Sequence, residues 1–495
     1  MLTKTTKIAA GAALLLALVV SPQARLATAD APKITISFNA FSGPLSSPTN
    51  KVLRRLIAQY EKLHPSVTIT WAPNAAGESI VNSNARLVAL ASAGQASDIV
   101  WEQYGEVTSG SVPKGILTDL KPYLDKPNPY VKGNQHWRDL WPASTLPYMT
   151  SPDGTMRILL GSIVEIGIFY NKAYFAKAGI HAAPTTWAQW VADMAKLKAA
   201  GISPFMFGTG QLCNDSWYER IFSSEMLHND LPKFNVDRQQ VAAGLDTAVA
   251  IHKGIISMKN PAYAAGWQLL YQLQPYVAPG ASTFDACAPV NSMSPPLSEI
   301  PPFVQGKFAM VWGGTWYFPQ LDAAGFAGKY GVFPVPMITK ESSAYSAAID
   351  VRGTVGGPNG VGEMSITSQK ANNTMTPAKL TQVADFLAYL YSPQNEGQWV
   401  ADESTNSDVP LIKGAQAPSI AGIQMLIAPH MPPKTVEGIL DGNLTAQATN
   451  AGIRLLQSFL AGEMSYANFA SQWQAILDQA ATTWARTNKV DLSKY

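Results

Sequence analysis

The chain has 495 residues, with 36 Lys and Arg against 34 Asp and Glu, and only 14% of its residues are charged. This balance argues against electrostatic attraction to nucleic acid or to an anionic membrane, and a hydrophobic content of 47% argues against intrinsic disorder. A chain of this length is expected to form one large domain or two to three ordinary ones.

The N-terminus has the pattern of a cleavable export signal. Lys4 and Lys7 precede an apolar run over residues 8–20, and residues 27–29 (Ala-Thr-Ala) form a small-x-small cleavage site. The run is shorter than the roughly 20 apolar residues of a membrane span, so a retained anchor is the weaker alternative. No cysteine near the site offers a lipid attachment. We expect the mature protein to be periplasmic or extracellular.

Strands and helices alternate after this segment. Apolar residues alternate with polar ones at 34–38 and again at 67–71, which predicts two strands. Between them, residues 50–63 have the apolar spacing of a helix. A further helix near 85–93 leads to a third strand at 98–101. This β-α-β-α-β order predicts a mostly parallel sheet with helices on both faces.

The rest of the chain continues the alternation less regularly. An apolar run at 163–170 predicts a buried strand, and the Thr185-Thr186 pair predicts the start of a helix that carries two tryptophans. The remaining predicted elements are strands at 308–312, 330–335 and 364–367 and helices at 383–390 and 443–486.

Cysteines and catalytic motifs are scarce. Cys213 and Cys287 form an even pair that favours a disulfide in an exported protein, with two buried thiols as the alternative. The sequence has no Gly-x-Ser-x-Gly, no His-Glu-x-x-His and no Walker-type loop, and its 6 histidines form no close pair. We expect no metal, no cofactor and no enzyme activity. A glycosidase-type carboxylate pair among Glu102, Glu165 and Asp215 is left open.

A series of short segments occurs in a fixed order between residues 34 and 400. The segments are SDIVW (97–101), LTDL (117–120), IFYNK (168–172), AGI with PTTW (178–187), GKFAM with GGTW (306–316), GVFPVP (331–336) and GG with YSPQNE (356–396). In this order they resemble the bacterial extracellular solute-binding proteins of the maltose-binding type. Those proteins are the sugar-capturing subunits of ATP-driven importers.

The resemblance implies an α/β architecture, the two-lobed periplasmic-binding-protein fold of type II, with hinge-connected lobes around an interlobe ligand cleft. After a signal peptide at 1–29, it assigns residues 30–163 and 334–405 to lobe I. Residues 164–333 and 406–495 are assigned to lobe II. Hinge closure is the natural mechanism for such an architecture.

The resemblance also places the ligand-binding residues on loops at the cleft. Trp316 follows a glycine turn and is expected to stack on a sugar ring, with core packing as the alternative. The role of Glu165 is open between ligand contact and an exposed hinge position. Asp215 and Trp217 either contact the ligand or belong to a loop stapled by Cys213. The expected contacts are Asn39, Phe41, Ser42, Trp101, Glu102, Gln103, Tyr104, Glu165, Asp215, Trp217, Gly314, Trp316, Asp350, Arg352 and Gly357.

The implied function is the capture of a di- or oligosaccharide by an exported monomer that delivers it to the permease subunits of an ABC importer. Pyranose faces pack on aromatic rings, and hydroxyls bond to carboxylates, amides and arginine, which is the mixture found on the expected loops. The alternatives are a binder of the same fold for a polyamine, a phosphorylated polyol or iron, a sensor module, and an exported carbohydrate-active enzyme. No nucleic-acid partner is expected.

Overall fold

The computed structural model describes residues 33–39, 48–71, 80–101, 115–210, 213–287, 289–291, 294–357, 363–400, 408–417, 420–427 and 433–495. The expected signal peptide lies outside the described residues. So do five of the expected ligand contacts, which are Phe41, Ser42, Glu102, Gln103 and Tyr104.

Strands and helices alternate along most of the described chain, as the apolar periodicity predicts. The strands are β1 (Ile34–Asn39), β2 (Val67–Trp71), β3 (Ile99–Trp101), β4 (Ser162–Asn171), β5 (Phe205–Met206), β6 (Val241–Ala242), β7 (Pro289–Asn291), β8 (Ser294–Leu297), β9 (Met310–Gly314), β10 (Tyr330–Phe333), β11 (Gly356–Gly357), β12 (Met364–Ile366), β13 (Val409–Pro410) and β14 (Thr435–Val436). The helices are α1 (Pro48–Leu63), α2 (Ile80–Ser92), α3 (Lys121–Leu124), α4 (Leu146–Met149), α5 (Lys172–Lys177), α6 (Trp187–Ala199), α7 (Cys213–Met226), α8 (Leu245–His252), α9 (Pro261–Leu273), α10 (Ile300–Val304), α11 (Tyr317–Ala323), α12 (Pro377–Leu390), α13 (Pro393–Trp399), α14 (Ala421–Leu426), α15 (Ala446–Leu460) and α16 (Tyr466–Asn488). None of these helices is both long and apolar enough to cross a membrane.

The first sheet has the strand order β12-β3-β1-β2. Strand β1 lies parallel to both β2 and β3, because helices α1 and α2 carry the chain back between successive strands. Strand β12 returns from much later in the chain and pairs antiparallel with β3, so that Met364 lies opposite Trp101. Ile36 and Phe38 on β1 are completely buried. The predicted parallel sheet is therefore present, with one antiparallel edge.

The second sheet is organised around β4, the strand predicted at 163–170. Its central and final residues pair antiparallel with β9 and β10, and β9 pairs in parallel with β5. Its first residues pair instead with the two short returning strands, β11 and β13. One strand of 10 residues therefore carries two sets of neighbours.

Buried side chains form two hydrophobic clusters, and β4 leads from one to the other. Leu160 belongs to the first cluster and Ile166 to the second. The chain returns to the first cluster between Val355 and Met364, and it leaves that cluster again after Ile412.

The position of the first return differs from the sequence assignment, which placed residues 334–405 in lobe I. Ile338, Val351 and Val355 pack with the second cluster. The reason is that the backbone of Met337 exchanges hydrogen bonds with Thr185 and Trp187, which holds this segment against the start of α6. The buried apolar residues between 338 and 355 therefore belong to the second cluster.

Glu219 on α7 lies completely inside the second cluster. Its carboxylate accepts a hydrogen bond from the backbone N–H of Leu440 at 2.8 Å and lies 3.0 Å from the Tyr263 hydroxyl. Burial raises the pKa of Glu219 to about 8, and the hydrogen bond from Leu440 only partly opposes this effect.

This carboxyl predicts that stability falls as the pH rises from about 4.5, its ordinary pKa, to about 8. In that window the native state holds a proton that the unfolded chain has lost, so the free energy of unfolding decreases by up to about 1.4 kcal/mol per pH unit. Glu219→Gln removes the titration and should make the decline shallower. Urea unfolding from pH 5 to 8 measures it, with the exposed Glu463→Gln as the matched control. Identical slopes for Glu219→Gln and the native chain would contradict the prediction.

Candidate functional site

Strand β4 brings several of the expected residues side by side. Gly314 pairs with Ile166 on this strand, and Gly357 pairs with Val164. Glu165 lies between these two residues. The backbone N–H of Thr315 donates to the Glu165 carbonyl at 2.9 Å, which fixes the turn that leads into Trp316. Residues that are far apart in sequence therefore meet at one place in the second sheet.

The indole ring of Trp316 is folded back over Gly314. A Cβ at position 314 would overlap the six-membered ring of Trp316, so only glycine leaves room for this arrangement. The indole N–H donates to the carbonyl of Ala286 at 3.3 Å. The ring is half-buried, whereas Trp312 on the preceding strand is 2% exposed. Trp316 thus keeps an accessible surface, and Trp312 belongs to the core.

Glu165 is buried, with 3% of its surface exposed, which contradicts the exposed hinge position considered for it. Burial raises the pKa of its carboxyl well above the usual range, opposed by the N–H of Gly353 at 3.1 Å and by the charge of Arg352. The Arg352 guanidinium also binds Asp350, with Nη2 at 2.6 Å from Oδ2 and Nε at 3.0 Å from both oxygens. Asp350 and Arg352 therefore form an ion pair, and Glu165 accepts a hydrogen bond from the backbone of the next residue, Gly353.

Asp215 and Trp217, on the first turns of α7, lie behind Trp316. Trp217 is 8% exposed and meets both Trp312 and Trp316 edge-on, each at 5.9 Å between ring centroids. Asp215 is completely buried, and burial, together with the charge of Asp285, raises its pKa. In this structure Trp217 supports Trp316 from the interior, and Asp215 is buried two residues earlier on the same helix.

Two expected contacts of lobe I lie at the ends of neighbouring strands. Asn39 is the last residue of β1 and pairs with Val100, and Trp101 is the last residue of β3. The carboxyl ends of adjacent parallel strands open at the same edge of a sheet, where ligands of α/β proteins commonly bind. Asn39 is 9% exposed.

Asp408 is a residue that the sequence did not reveal. Its carboxylate lies 3.1 Å from the hydroxyl of Thr315 and 3.4 Å from the hydroxyl of Ser162, and it is 1% exposed. It thereby links the beginning of β4 to the turn before Trp316. No periodic pattern surrounds Asp408, so its sequence gives no signal for this role.

A second contact missed by the sequence joins the two hydrophobic clusters directly. Val241 and Ala243 pack with Tyr148 in the first cluster, whereas Ala242 between them packs in the second. The side chain of Gln240 bonds to the Tyr148 hydroxyl, whose pKa is raised to about 12, mainly by burial. Successive residues of a strand face opposite sides, so Ala242 can pack in one cluster while its two neighbours pack in the other. This alternation is the sequence signal for the contact.

The sequence matches a family model described as bacterial extracellular solute-binding protein over residues 46–397. Comparison with curated protein sequences gives no match.

Solved structures with the same overall arrangement cover most of the chain. A chitin oligosaccharide binding protein is 20% identical, with a TM-score of 0.62 over 91% of this chain and 99% of its own. The GacH receptor of Streptomyces glaucescens, studied with acarbose, is 16% identical, with a TM-score of 0.59 over 91% and 99%. Maltose-bound MalE3 of T. maritima is 15% identical, with a TM-score of 0.60 over 91% and 100%. The expected two-lobed α/β fold is confirmed by these likenesses.

The packing of Trp316 on Gly314 predicts a strong coupling between the two positions. Gly314→Ala forces the ring to move and should destabilise the protein by about 1–3 kcal/mol, as overpacking does in other cores. In a Trp316→Ala background the added methyl group has space, so the same change should cost much less. Chemical denaturation of the four proteins in this cycle measures the coupling. Additive effects would contradict the contact.

Proposed function

Because the chain belongs to the bacterial extracellular solute-binding protein family, we propose that it binds a di- or oligosaccharide between its lobes and delivers it to the permease of an ABC importer. The family and its structural relatives are binding proteins rather than enzymes. The observation that carries the proposal is the half-buried Trp316. The turn before it is bonded to the backbone of Glu165, whose carboxyl accepts from Gly353, the residue next to Arg352.

This combination suits the chemistry of sugars. The C–H groups of a pyranose face pack on an indole ring, and its hydroxyls both donate and accept hydrogen bonds. Asp350 offers carboxylate acceptors and Arg352 offers charged donors, which bond more strongly than neutral groups, and both side chains are partly exposed. Structural relatives named for chitin oligosaccharides, acarbose, maltose and β-D-galactopyranose support a saccharide ligand. The chitin oligosaccharides and maltose among these contain more than one sugar unit.

Closure of the two lobes provides the signal for delivery. The clusters are joined through β4, and residues 241–243 contribute alternately to both, next to Gln240, which bonds to Tyr148. A ligand that contacts both lobes stabilises the closed arrangement relative to an open one. On the side of lobe I, the ends of β1 and β3 with Asn39 and Trp101 are the proposed partner surface. A membrane permease distinguishes the two states by their shape.

We further propose that residues 1–29 are a cleaved signal, that the protein is periplasmic or extracellular, and that it acts as a monomer. The basic start, the short apolar run and the small-residue site support export. One structural relative is called a secreted solute-binding lipoprotein. In this chain Cys213 and Cys287 are bonded to each other, which leaves neither of them for a lipid.

Thermal-shift screening tests the ligand class. A saturating chitin or malto-oligosaccharide should raise the melting temperature, because a ligand present at 100 times its Kd stabilises the native state by about 2.7 kcal/mol. Spermidine, a polyol phosphate and ferric citrate belong in the same panel as rivals. A shift with one of these and none with any saccharide would overturn the proposal.

Trp316→Ala tests the proposed stacking contact. We expect saccharide binding to weaken by about 1–3 kcal/mol in calorimetric titration, with little change in the melting temperature of the free protein. Trp484→Ala, which removes another half-buried tryptophan on α16, is the matched control and should bind normally. A Trp316→Ala protein that loses stability while its folded fraction binds like the native chain would assign the ring to the core.

A further inference from the structure

A disulfide ties the first residue of α7 to a loop that contacts Trp316. Cys213 begins the helix, Cys287 lies 74 residues later, and their Cα atoms are 6.1 Å apart. Ala286, next to Cys287, is completely buried and accepts the indole N–H of Trp316 on its carbonyl. The disulfide therefore fixes the position of Cys287, the neighbour of Ala286, whose carbonyl orients the Trp316 ring.

The same disulfide also fixes the second neighbour of the ring. Trp217 lies one helical turn after Cys213 on α7, and it meets Trp316 edge-on. Two contacts of the indole, the Ala286 carbonyl and the Trp217 ring, are thus attached to the two ends of one covalent link. Their separation cannot change much while the bond is intact.

Two buried carboxyls lie on the segments that the disulfide joins. Asp215 on the helix is completely buried, and Asp285 on the loop is 1% exposed. Burial, together with the charge of Asp285, raises the pKa of Asp215. The Oδ2 atom of Asp215 has no hydrogen-bond partner among the described residues.

We propose that the Cys213–Cys287 disulfide positions Trp316 for its ligand, by holding the Ala286 carbonyl and Trp217 against the indole. This inference rests on the proposed function, because it names what keeps the stacking residue in its binding orientation. Both cysteines act as positioning residues, because Trp316 is the residue that touches the sugar. Cys213 is half-buried, and Cys287 is exposed.

The first experiment compares the native chain with a Cys213→Ser/Cys287→Ser variant, after mass spectrometry of the unreduced native protein has confirmed the bond. We expect the saccharide that binds the native chain to bind the variant at least tenfold more weakly in calorimetric titration, with unchanged stoichiometry. Titration is done at a temperature where both proteins are folded. Equal affinity would overturn the inference, as would two free thiols in the native protein.

A measurement on the ligand-free protein tests the effect of the disulfide on Trp316 separately from the proposed function. In 5-fluorotryptophan-labelled protein, the ¹⁹F resonance of Trp316 is assigned by its absence in Trp316→Phe. We expect this resonance to shift and broaden in the double-serine variant, while the resonance of the remote Trp484 stays unchanged. An unchanged Trp316 resonance would overturn the inference. Failure of the native chain to bind any saccharide would defeat only the proposed function.

Trp316→Phe also tests the route by which the disulfide acts, because it keeps an aromatic ring and removes the N–H donor. Loss of the disulfide should then weaken binding by a clearly smaller factor in the Trp316→Phe background than in the native one. The same factor in both backgrounds would show that the bond does not act through Trp316. If the double-serine variant does not fold, Trp316→Phe with the disulfide intact tests the N–H contact, and unchanged affinity would overturn the inference.

Discussion

The pairing of one strand with two sets of partners is the constraint on which the rest of the structure depends. The first residues of β4 pair with β11 and β13, and its later residues pair with β9 and β10. Backbone hydrogen bonds hold each half of this strand in register with its own neighbours, so β4 connects the two hydrophobic clusters. Glu165 sits where the sets of partners meet, and the turn into Trp316 is bonded to its carbonyl.

The candidate site combines a ring that is held in place with an Asp350–Arg352 ion pair that stays partly exposed. Gly314, Trp217 and the Ala286 carbonyl leave Trp316 little freedom, so little conformational entropy is lost when a ligand packs on it. Glu165 is buried beside Arg352, where an unsatisfied group is costly. A ligand that lacks a hydroxyl leaves such a group unpaired and binds more weakly, so the site discriminates among ligands.

The sequence predicted the local features of the fold well, because local periodicity reports which face of an element is buried. Alternation or an apolar run predicts the strands at 34–38, 67–71 and 163–170; β2 has the predicted bounds, and β1 and β4 are slightly longer. The packing of Ile338 and Val355 with the second cluster and the contacts of Asp408 were not predicted, since both depend on residues distant in sequence. Asp408 lies 93 residues from Thr315 and 246 residues from Ser162. Spacing along the chain carries no information about such contacts.

The most direct test of the central claim is a crystal structure of the protein with the saccharide that stabilises it best. The proposed function requires a sugar ring to lie face-on against Trp316, with Glu165 or Arg352 within hydrogen-bond distance of its hydroxyls and lobe I closed over the other side. A saccharide bound elsewhere, with the Trp316 face empty, would contradict the claim.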